Sequence, residues 1–337
     1  MQFRNVVLFA AALCAALVAA RPGHARDLIL SHQLPEADAR HRAAKVLAAE
    51  VRKRVPDLMV RIHPNGSLVR DPPKQYEAMQ ERKIDMTIYP MGYASSKFPE
   101  LSIVTLPGVP ASAELAALLK NTEFEEQLQL ICEEKGFRIL SWWWLDGGMA
   151  SRGRPVTGPQ TIKDLGARSG GGNDFNSMLE AAGARIVAMP LSEVRSAIET
   201  GKLDVAQSSF ETFVSYRFYE TAKYVTVGGF STLTVFTPVL ISKATWDSLN
   251  GTERQALEDA AIASEIYLEA SQREAQEHAI EVFTKAGVKV QALTYEDYAA
   301  WLTIARDTAW KNYRAVSPRA SDLLDSLLRA FVESSKR

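Results

Sequence analysis

From Asp27 onward, short apolar runs alternate with amphipathic stretches, and this order restricts the chain to an open, mainly parallel sheet covered by helices. Residues 28–30 read as a strand. Residues 40–54 read as a helix with Ala44, Leu47, Ala48 and Val51 on one side. A second strand follows at 58–62, a Pro-Asn-Gly-Ser turn at 64–67, a short helix at 73–81 and a third strand at 84–88. A second α/β unit opens near Gly136. Its expected strands are 138–144, 165–169, 185–189, 203–206 and 224–227, and its helices 173–182, 191–200 and 210–221. The run TVFTPVLIS at 234–242 is expected to be a crossing strand that leads back to the first unit. Crossings of this kind place a ligand between two halves, at the carboxyl ends of strands.

The C-terminal third is helical. Thr252-Glu253-Arg254-Gln255 fits a capping box. Leu257, Ala261, Ser264, Leu268, Ala275, Ala279, Val282 and Phe283 then recur at helical spacing up to Gly287. A helix over 252–286 is on the order of 50 Å long at ~1.5 Å per residue. It is expected either to run across the back of both halves as a strut or to pair with a second subunit. Its Ala-rich stripe favours the strut.

The first 25 residues have a different character. A short start carrying Arg4 precedes the uninterrupted apolar run 6–20, then Arg21-Pro22 and a small-residue exit, Gly23-His24-Ala25. The run is too short to span a bilayer, which describes a secretory signal peptide cleaved after Ala25 and an exported, soluble mature chain. The full chain holds 39 Lys+Arg against 40 Asp+Glu, and the leader carries bases but no acid. The mature balance is therefore acidic, which argues against nucleic acid or an anionic membrane as partner. Cys14 leaves with the leader. Cys132 then stands alone on a helical face with Phe124, Leu128 and Ile131, beside Glu133 and Glu134 that disfavour a thiolate, so it reads as a buried inert thiol.

Reactive chemistry is hard to place. The histidines His32, His41, His63 and His278 are scattered, and neither HExxH nor CxxC occurs, so no metal is expected and no cofactor is assigned. Gly170-Gly171-Gly172 lacks the Lys-Ser/Thr pair of a phosphate loop. The amides of the helix start near Asn173 remain suited to an anion. Ser208 and Ser209 lie in no GxSxG elbow, and no enzyme is expected. Arg168 stands out, at a strand end immediately before the glycine turn. It is either a solvated surface arginine or a bidentate grip on a carboxylate in the crevice. In Trp142-Trp143-Trp144 a strand period puts the outer two on one face and the middle one on the other, with Trp144 either core or an apolar cleft wall.

With these residues in view, 161–207 (TIKDLGARSGGGNDFNSMLEAAGARIVAMPLSEVRSAIETGKLDVAQ) resembles the central signature of the DctP-type solute-binding proteins of tripartite ATP-independent periplasmic (TRAP) transporters. The stretches IHPNGSLVRDPPKQYEAMQERKIDMTIY, YETAKYVTVGG and ISKATWDSLNGTERQALEDAA are similar to further segments of that family, and the resemblance covers nearly all of 27–331. It implies an α/β, two-lobed periplasmic-binding-protein fold with crossing strands and a long C-terminal spanning helix. It also implies a non-catalytic, periplasmic protein that closes around a small organic acid and delivers it to TRAP membrane permease subunits. Arg168 falls at the family's ligand-binding arginine, and Ser208 where the family carries an asparagine. Arg195 replaces a tyrosine of the signature helix. These departures and the Trp segment favour a larger or partly apolar monocarboxylate over a C4-dicarboxylate.

The expected division is a signal peptide at 1–25, one lobe at 26–148 with return segments from about 240–337, a second lobe at 149–239, and the inter-lobe helix at 252–286. Further expected ligand contacts are Gln33 after the first strand, Tyr89 and Tyr93 after the third, Ser209 and Phe210 beside Ser208, Asn173 at the helix start, Phe236 on the crossing strand and Trp144. Rival readings are the binding protein of an ATP-driven importer, a ligand-presenting sensor subunit and a secreted α/β enzyme.

Overall fold

A computed structural model describes residues 26–170, 172–228 and 232–334. The expected signal peptide at 1–25 and the middle glycine of the turn, Gly171, lie outside the described residues. The strands are β1 Arg26–Ser31, β2 Leu58–His63, β3 Met86–Ile88, β4 Phe137–Ile139, β5 Trp144–Ser151, β6 Gly166–Arg168, β7 Arg185–Ile186, β8 Val205–Ser209, β9 Tyr224–Val227, β10 Thr234–Phe236, β11 Val239–Ser242 and β12 Lys289–Ala292. They form two sheets, one in the order β2-β1-β3-β11-β4 and one in the order β12-β9-β5-β8-β6-β7, with β10 paired to β5. Strands β1, β2 and β3 are parallel, as are β6, β7 and β8, while β11 and β5 run against their neighbours. The result is two α/β lobes.

The chain passes between the sheets twice by extended segments. One passage, at 140–143, joins β4 to β5. The other, Thr237-Pro238, joins β10 to β11, so the expected continuous strand at 234–242 is two strands with a break at Pro238, which has no N–H to donate. The strand expected over 138–144 is likewise split, because its middle residues leave one sheet for the other. The two passages are bonded together. Thr237 N–H donates to the Trp143 carbonyl at 2.9 Å, Leu140 N–H to the Val239 carbonyl at 2.8 Å, and Val239 N–H to the Ser141 hydroxyl at 2.8 Å. The tryptophans alternate as a strand period requires. Trp142 and Trp144 join a core with Phe236, and Trp143 joins a separate core with Leu30 and Leu47.

The long helix spans Gly251–Lys285, 35 residues. Its capping box is Asn250 with Glu253 rather than the expected Thr252 with Gln255. Asn250 accepts from the Glu253 N–H, and the Glu253 carboxylate accepts from the Asn250 N–H, each at 2.9 Å. The amide side chain of Asn250 has the shape that role needs, one position before the helix. Leu257, Ala260, Ala261 and Leu268 pack into the core under β1 and the helix Ala39–Arg54. Ala279 and Phe283 pack into the core of the second sheet with Phe213 and Phe218. The helix therefore ties both lobes as a strut.

Two other expectations change. The helix expected over 210–221 ends as Phe210–Ser215, because Arg217 takes a left-handed backbone, φ 57°. The tail does not return wholly to the first lobe, since β12 extends the second sheet beside β9. Cys132 is fully buried, and burial pushes its thiol up, with Glu133 adding to the shift.

Candidate functional site

Arg168 ends β6, the penultimate strand of the second sheet, registered with Ala206 of β8. It is 4% exposed. Its Nε donates to the Met189 carbonyl at 3.4 Å, and its Nη2 donates to the Tyr93 hydroxyl at 3.2 Å. Tyr93 sits in the 3-10 turn Met91–Ala94 that follows β3 in the other lobe, so the guanidinium bridges the crevice. A guanidinium carries five N–H donors, and these contacts leave donors for an anion. The turn after Arg168 packs tightly across the same gap. Gly172 has φ 74°, and a Cβ there would lie 2.3 Å from the Ser95 Oγ and 2.8 Å from the Gly92 carbonyl. The Asp174 carboxylate, raised by burial against the opposing Ser102 hydrogen bond, accepts from the Ser102 hydroxyl of the first lobe. Asn173 beside it is exposed, because the helix Gly172–Ala181 turns Asp174, not Asn173, toward the first lobe.

Gln33 follows β1 at the facing edge. Its carboxamide nitrogen and oxygen are both buried and have no hydrogen-bond partner. Its backbone carbonyl accepts from the Tyr216 hydroxyl at 3.1 Å. Burial pushes the Tyr216 phenol up; Arg40 opposes this, Asp38 and Tyr93 add to it, and Arg168 opposes it. Tyr216 thus lies in one electrostatic neighbourhood with Arg168, Tyr93 and the buried pair Asp38–Arg40. Tyr89, also pushed up by burial and by Tyr93, sits edge-on to the Tyr93 ring at 6.3 Å and is buried in the first core.

Gln207, on β8 immediately after the residue registered with Arg168, is 2% exposed, and both polar atoms of its side chain lack partners. Ser208 is buried opposite Gly148 of β5. Ser209 is committed to structure: its Oγ accepts from the Thr212 N–H at 3.2 Å and lies 2.8 Å from the Thr212 hydroxyl, capping the helix Phe210–Ser215. Phe210 packs on Phe213 and lies against Gly148, where a Cβ would come 2.8 Å from its ring. Phe236 stacks on Trp144 at 4.5 Å and lies tilted against Trp142 at 4.8 Å, placing all three rings in one core. Trp144 also lines a separate cavity of about 570 Å³ with Asp146, Glu265 and Gln272, which Arg168, Tyr93, Gln33 and Gln207 do not line.

Sequence reasoning missed a buried polar joint between the lobes. Arg40 donates to Asp38 through Nε at 2.8 Å and Nη2 at 2.7 Å, and to the Thr212 hydroxyl at 3.0 Å. The Ser215 hydroxyl donates to Asp38 at 3.0 Å. The Ala39 N–H, at the start of the helix Ala39–Arg54, donates to Glu211 at 2.6 Å. Burial raises the Asp38 carboxyl, but the charge and hydrogen bonds of Arg40 outweigh it and hold the group below its ordinary value. In sequence Asp38 is only a residue ahead of a helix; Arg40 lies two positions on, but Ser215 comes from 177 positions away and Thr212 reaches Arg40 from 172.

The family model described as "DctP: Bacterial extracellular solute-binding protein, family 7" matches residues 30–315. A solute-binding protein of Albidiferax ferrireducens is 36% identical over 305 residues, covering 88% of this chain and 89% of that one. The C4-dicarboxylate-binding periplasmic protein DctP of Rhodobacter capsulatus is 27% identical over 246 residues, 72% of each chain. Among solved structures, a TRAP periplasmic solute-binding protein of Rhodoferax ferrireducens with bound malonate superposes with a TM-score of 0.87 at 34% identity, covering 91% of this chain and 99% of that one. Across a two-lobed α/β fold whose facing strand ends carry a buried arginine, this chain belongs to the DctP family of TRAP-type extracellular solute-binding proteins.

Proposed function

We propose that Arg168 grips the carboxylate of a small organic acid in the inter-lobe crevice, and that the closed, loaded protein hands this acid to TRAP membrane permease subunits in the periplasm. The lobes of this reading meet along the β4–β5 and β10–β11 passages. The observation that carries it is the position of Arg168, almost fully buried, bonded across the crevice to Tyr93 and set at the carboxyl end of β6, which is paired in parallel on both sides. The Rhodoferax relative carries malonate, a short organic acid with two carboxylates. Tyr93 and Tyr216 orient the site from opposite lobes. An acid bound between them contacts the closed form alone and so shifts the population toward it.

The test is thermal-shift and calorimetric titration of the mature protein with a panel of short organic acids, for wild type, Arg168→Ala and Arg168→Lys. An acid at about 100 times its Kd stabilises the wild type by about 2.7 kcal/mol. Removing the buried partner of the carboxylate weakens binding by at least about 30-fold, a cost of about 2 kcal/mol or more. Lysine restores only part, because it lacks the planar fork. Equal affinity in wild type and Arg168→Ala excludes this anchor.

A further inference from the structure

We infer that the outer end of the second lobe docks onto a membrane surface rich in anionic phospholipid, through a row of basic side chains with one at the same end of every strand of the second sheet. Along the order β12-β9-β5-β8-β6-β7 the row reads Lys289, Lys223, Arg152, Lys202, Lys163 and Arg185. Backbone bonds hold these positions side by side. Lys289 N–H donates to the Lys223 carbonyl, Lys223 N–H to the Ser151 carbonyl and Arg152 N–H to the Asp204 carbonyl, each at 2.9 Å. Asp204 N–H then donates to the Gly166 carbonyl at 2.9 Å, and Arg185 N–H to the Leu165 carbonyl at 2.8 Å. The Arg152 guanidinium lies against Gly201, next to Lys202, and the Lys163 chain lies against Gly183, two positions before Arg185. At ~4.8 Å between strands the row is about 24 Å long. Strands β6, β7 and β8 begin at this end and run toward the crevice, so the row and Arg168 lie at opposite ends of them.

All of these bases are exposed, and of them only Arg185 has an ion-pair partner among the described residues, Asp204 at 3.9 Å. Arg154, exposed as well, adds a further charge while its guanidinium donates to the Thr161 and Lys163 carbonyls. The acids at this end are fewer. They are Asp164, the half-buried Asp204, which accepts from the Gly166 N–H, and Glu180 and Glu199 in the last turns of the helices Gly172–Ala181 and Leu191–Thr200. The matching end of the first sheet is built differently, for there Arg26 meets Glu253, Lys83 meets Glu81 and Lys243 meets Asp247. Taken over the chain, 39 bases against 40 acids count against an anionic membrane, but the fold sets unpaired bases apart at one end. Helix C-termini attract cations, which accounts for Lys202 after the helix Leu191–Thr200 and not for a base at every strand. A protein partner asks for an apolar or aromatic centre and few lysines. Here lysine holds most of the positions, and none of the large apolar side chains exposed among the described residues lies in the row or its loops. Such a surface fits diffuse negative charge, which anionic headgroups supply without a shaped pocket. Attachment by this end is peripheral and leaves the crevice clear of the headgroups.

The inference goes beyond the carboxylate reading and is tested without it. The mature protein is sedimented with vesicles of phosphatidylcholine alone and of phosphatidylcholine with about 30% phosphatidylglycerol, at ~0.05 M and ~0.5 M salt. At low salt the anionic vesicles are expected to bind at least about tenfold more tightly than the neutral ones, and at high salt to lose that advantage. Lys202→Gln, Lys223→Gln and Lys289→Gln in one chain are expected to weaken binding to anionic vesicles at least about tenfold, and Lys223→Gln alone about threefold. Lys83→Gln with Lys243→Gln, at the matching end of the first sheet, is expected to change it by less than about twofold. Should the triple variant fail to fold, Lys223→Gln and the salt dependence decide. Equal binding to neutral and anionic vesicles, or lysine variants that bind as wild type does, overturns the inference. So does retention on immobilised polyglutamate with no binding to anionic vesicles, which assigns the row to an acidic protein face. None of these outcomes bears on Arg168, and failure of the Arg168→Ala titration leaves the row as it stands.

Discussion

His32 shows how hydrogen-bond direction sets a charge state. Its Nδ1 accepts from the Leu34 N–H at 3.1 Å, which leaves Nε2 to carry the proton and donate to His41 Nδ1 at 3.2 Å. Charging the ring requires a second proton on Nδ1, where a donor already points. Burial pushes His32 down to about 3, and the neighbouring His41 adds to the shift. The sign follows from linkage. The unfolded chain binds the proton near the ordinary value of 6.5 and the folded chain does not, so stability is complete above about pH 6.5 and falls as pH drops toward about 3. One proton contributes about 1.4 kcal/mol per pH unit in that window. Urea unfolding at pH 7.5, 6 and 4.5 should show this loss in wild type. His32→Asn, which keeps an acceptor for Leu34, should flatten the acid limb by that one proton; identical slopes would mean that His32 does not titrate on unfolding. Residue identity announced some of the site and hid the rest. Arg168 could be singled out because a cation at a strand end before a glycine turn has few structural reasons to be there. Tyr216 could not, since a tyrosine in an amphipathic stretch reads as core until the fold sets its hydroxyl on the Gln33 carbonyl of the other lobe.

At the scale of elements, the joint between the helices Ala39–Arg54 and Phe210–Ser215 does what neither sequence segment states alone. The first helix begins with Asp38 as its N-cap, yet the N–H of its first residue is satisfied by Glu211 from the other sheet's side. Carboxylates stabilise helix N-termini, and here one of them crosses between lobes. Burial raises Glu211, Asp38 adds to that, and the Ala39 N–H and then Arg40 oppose it. Glu211→Gln keeps the shape and removes the charge. Because the contact joins the two lobes, the variant should bind the acid about fivefold more weakly, a loss of about 1 kcal/mol, if closure depends on it. Solution scattering without ligand should show a larger radius of gyration, with little change in melting temperature. An unchanged affinity would show that the joint plays no part in closure. The long helix and most strands and helices were legible from period and turn residues alone. The breaks at 140–143 and at Thr237-Pro238 were not: the first falls in a largely apolar run with only Ser141 to mark it, and the second carries a proline that the reading of one continuous strand passed over. The short helix at 210–215 failed for a similar reason: Arg217 turns left-handed to deliver Phe218 to the core, a tertiary demand that overrides helical propensity.

For the molecule as a whole, the lobes touch directly in the described conformation, with Arg168 on Tyr93, Asp174 on Ser102 and Tyr216 on Gln33. Gly172 is the tightest of these meetings, and its role is spatial. Its φ of 74° disfavours any side chain, and a Cβ would stand 2.8 Å from the Gly92 carbonyl, backbone that has little room to yield. The Ser95 hydroxyl, 2.3 Å from that Cβ, already donates to the same carbonyl. When the lobes separate, the turn at Ser95 moves away and most of this clash disappears, leaving the backbone strain of about 1–2 kcal/mol. Gly172→Ala should therefore act as a wedge. The acid should bind at least tenfold more weakly, and scattering with saturating acid should retain the larger dimension of the unliganded protein. Ser95→Ala in the same chain removes the hydroxyl but not the carbonyl contact, so it should recover only part of the affinity. Full closure and wild-type affinity in Gly172→Ala would mean that the bound state keeps these segments apart, and that the contacts joining the lobes here are not those that hold the acid.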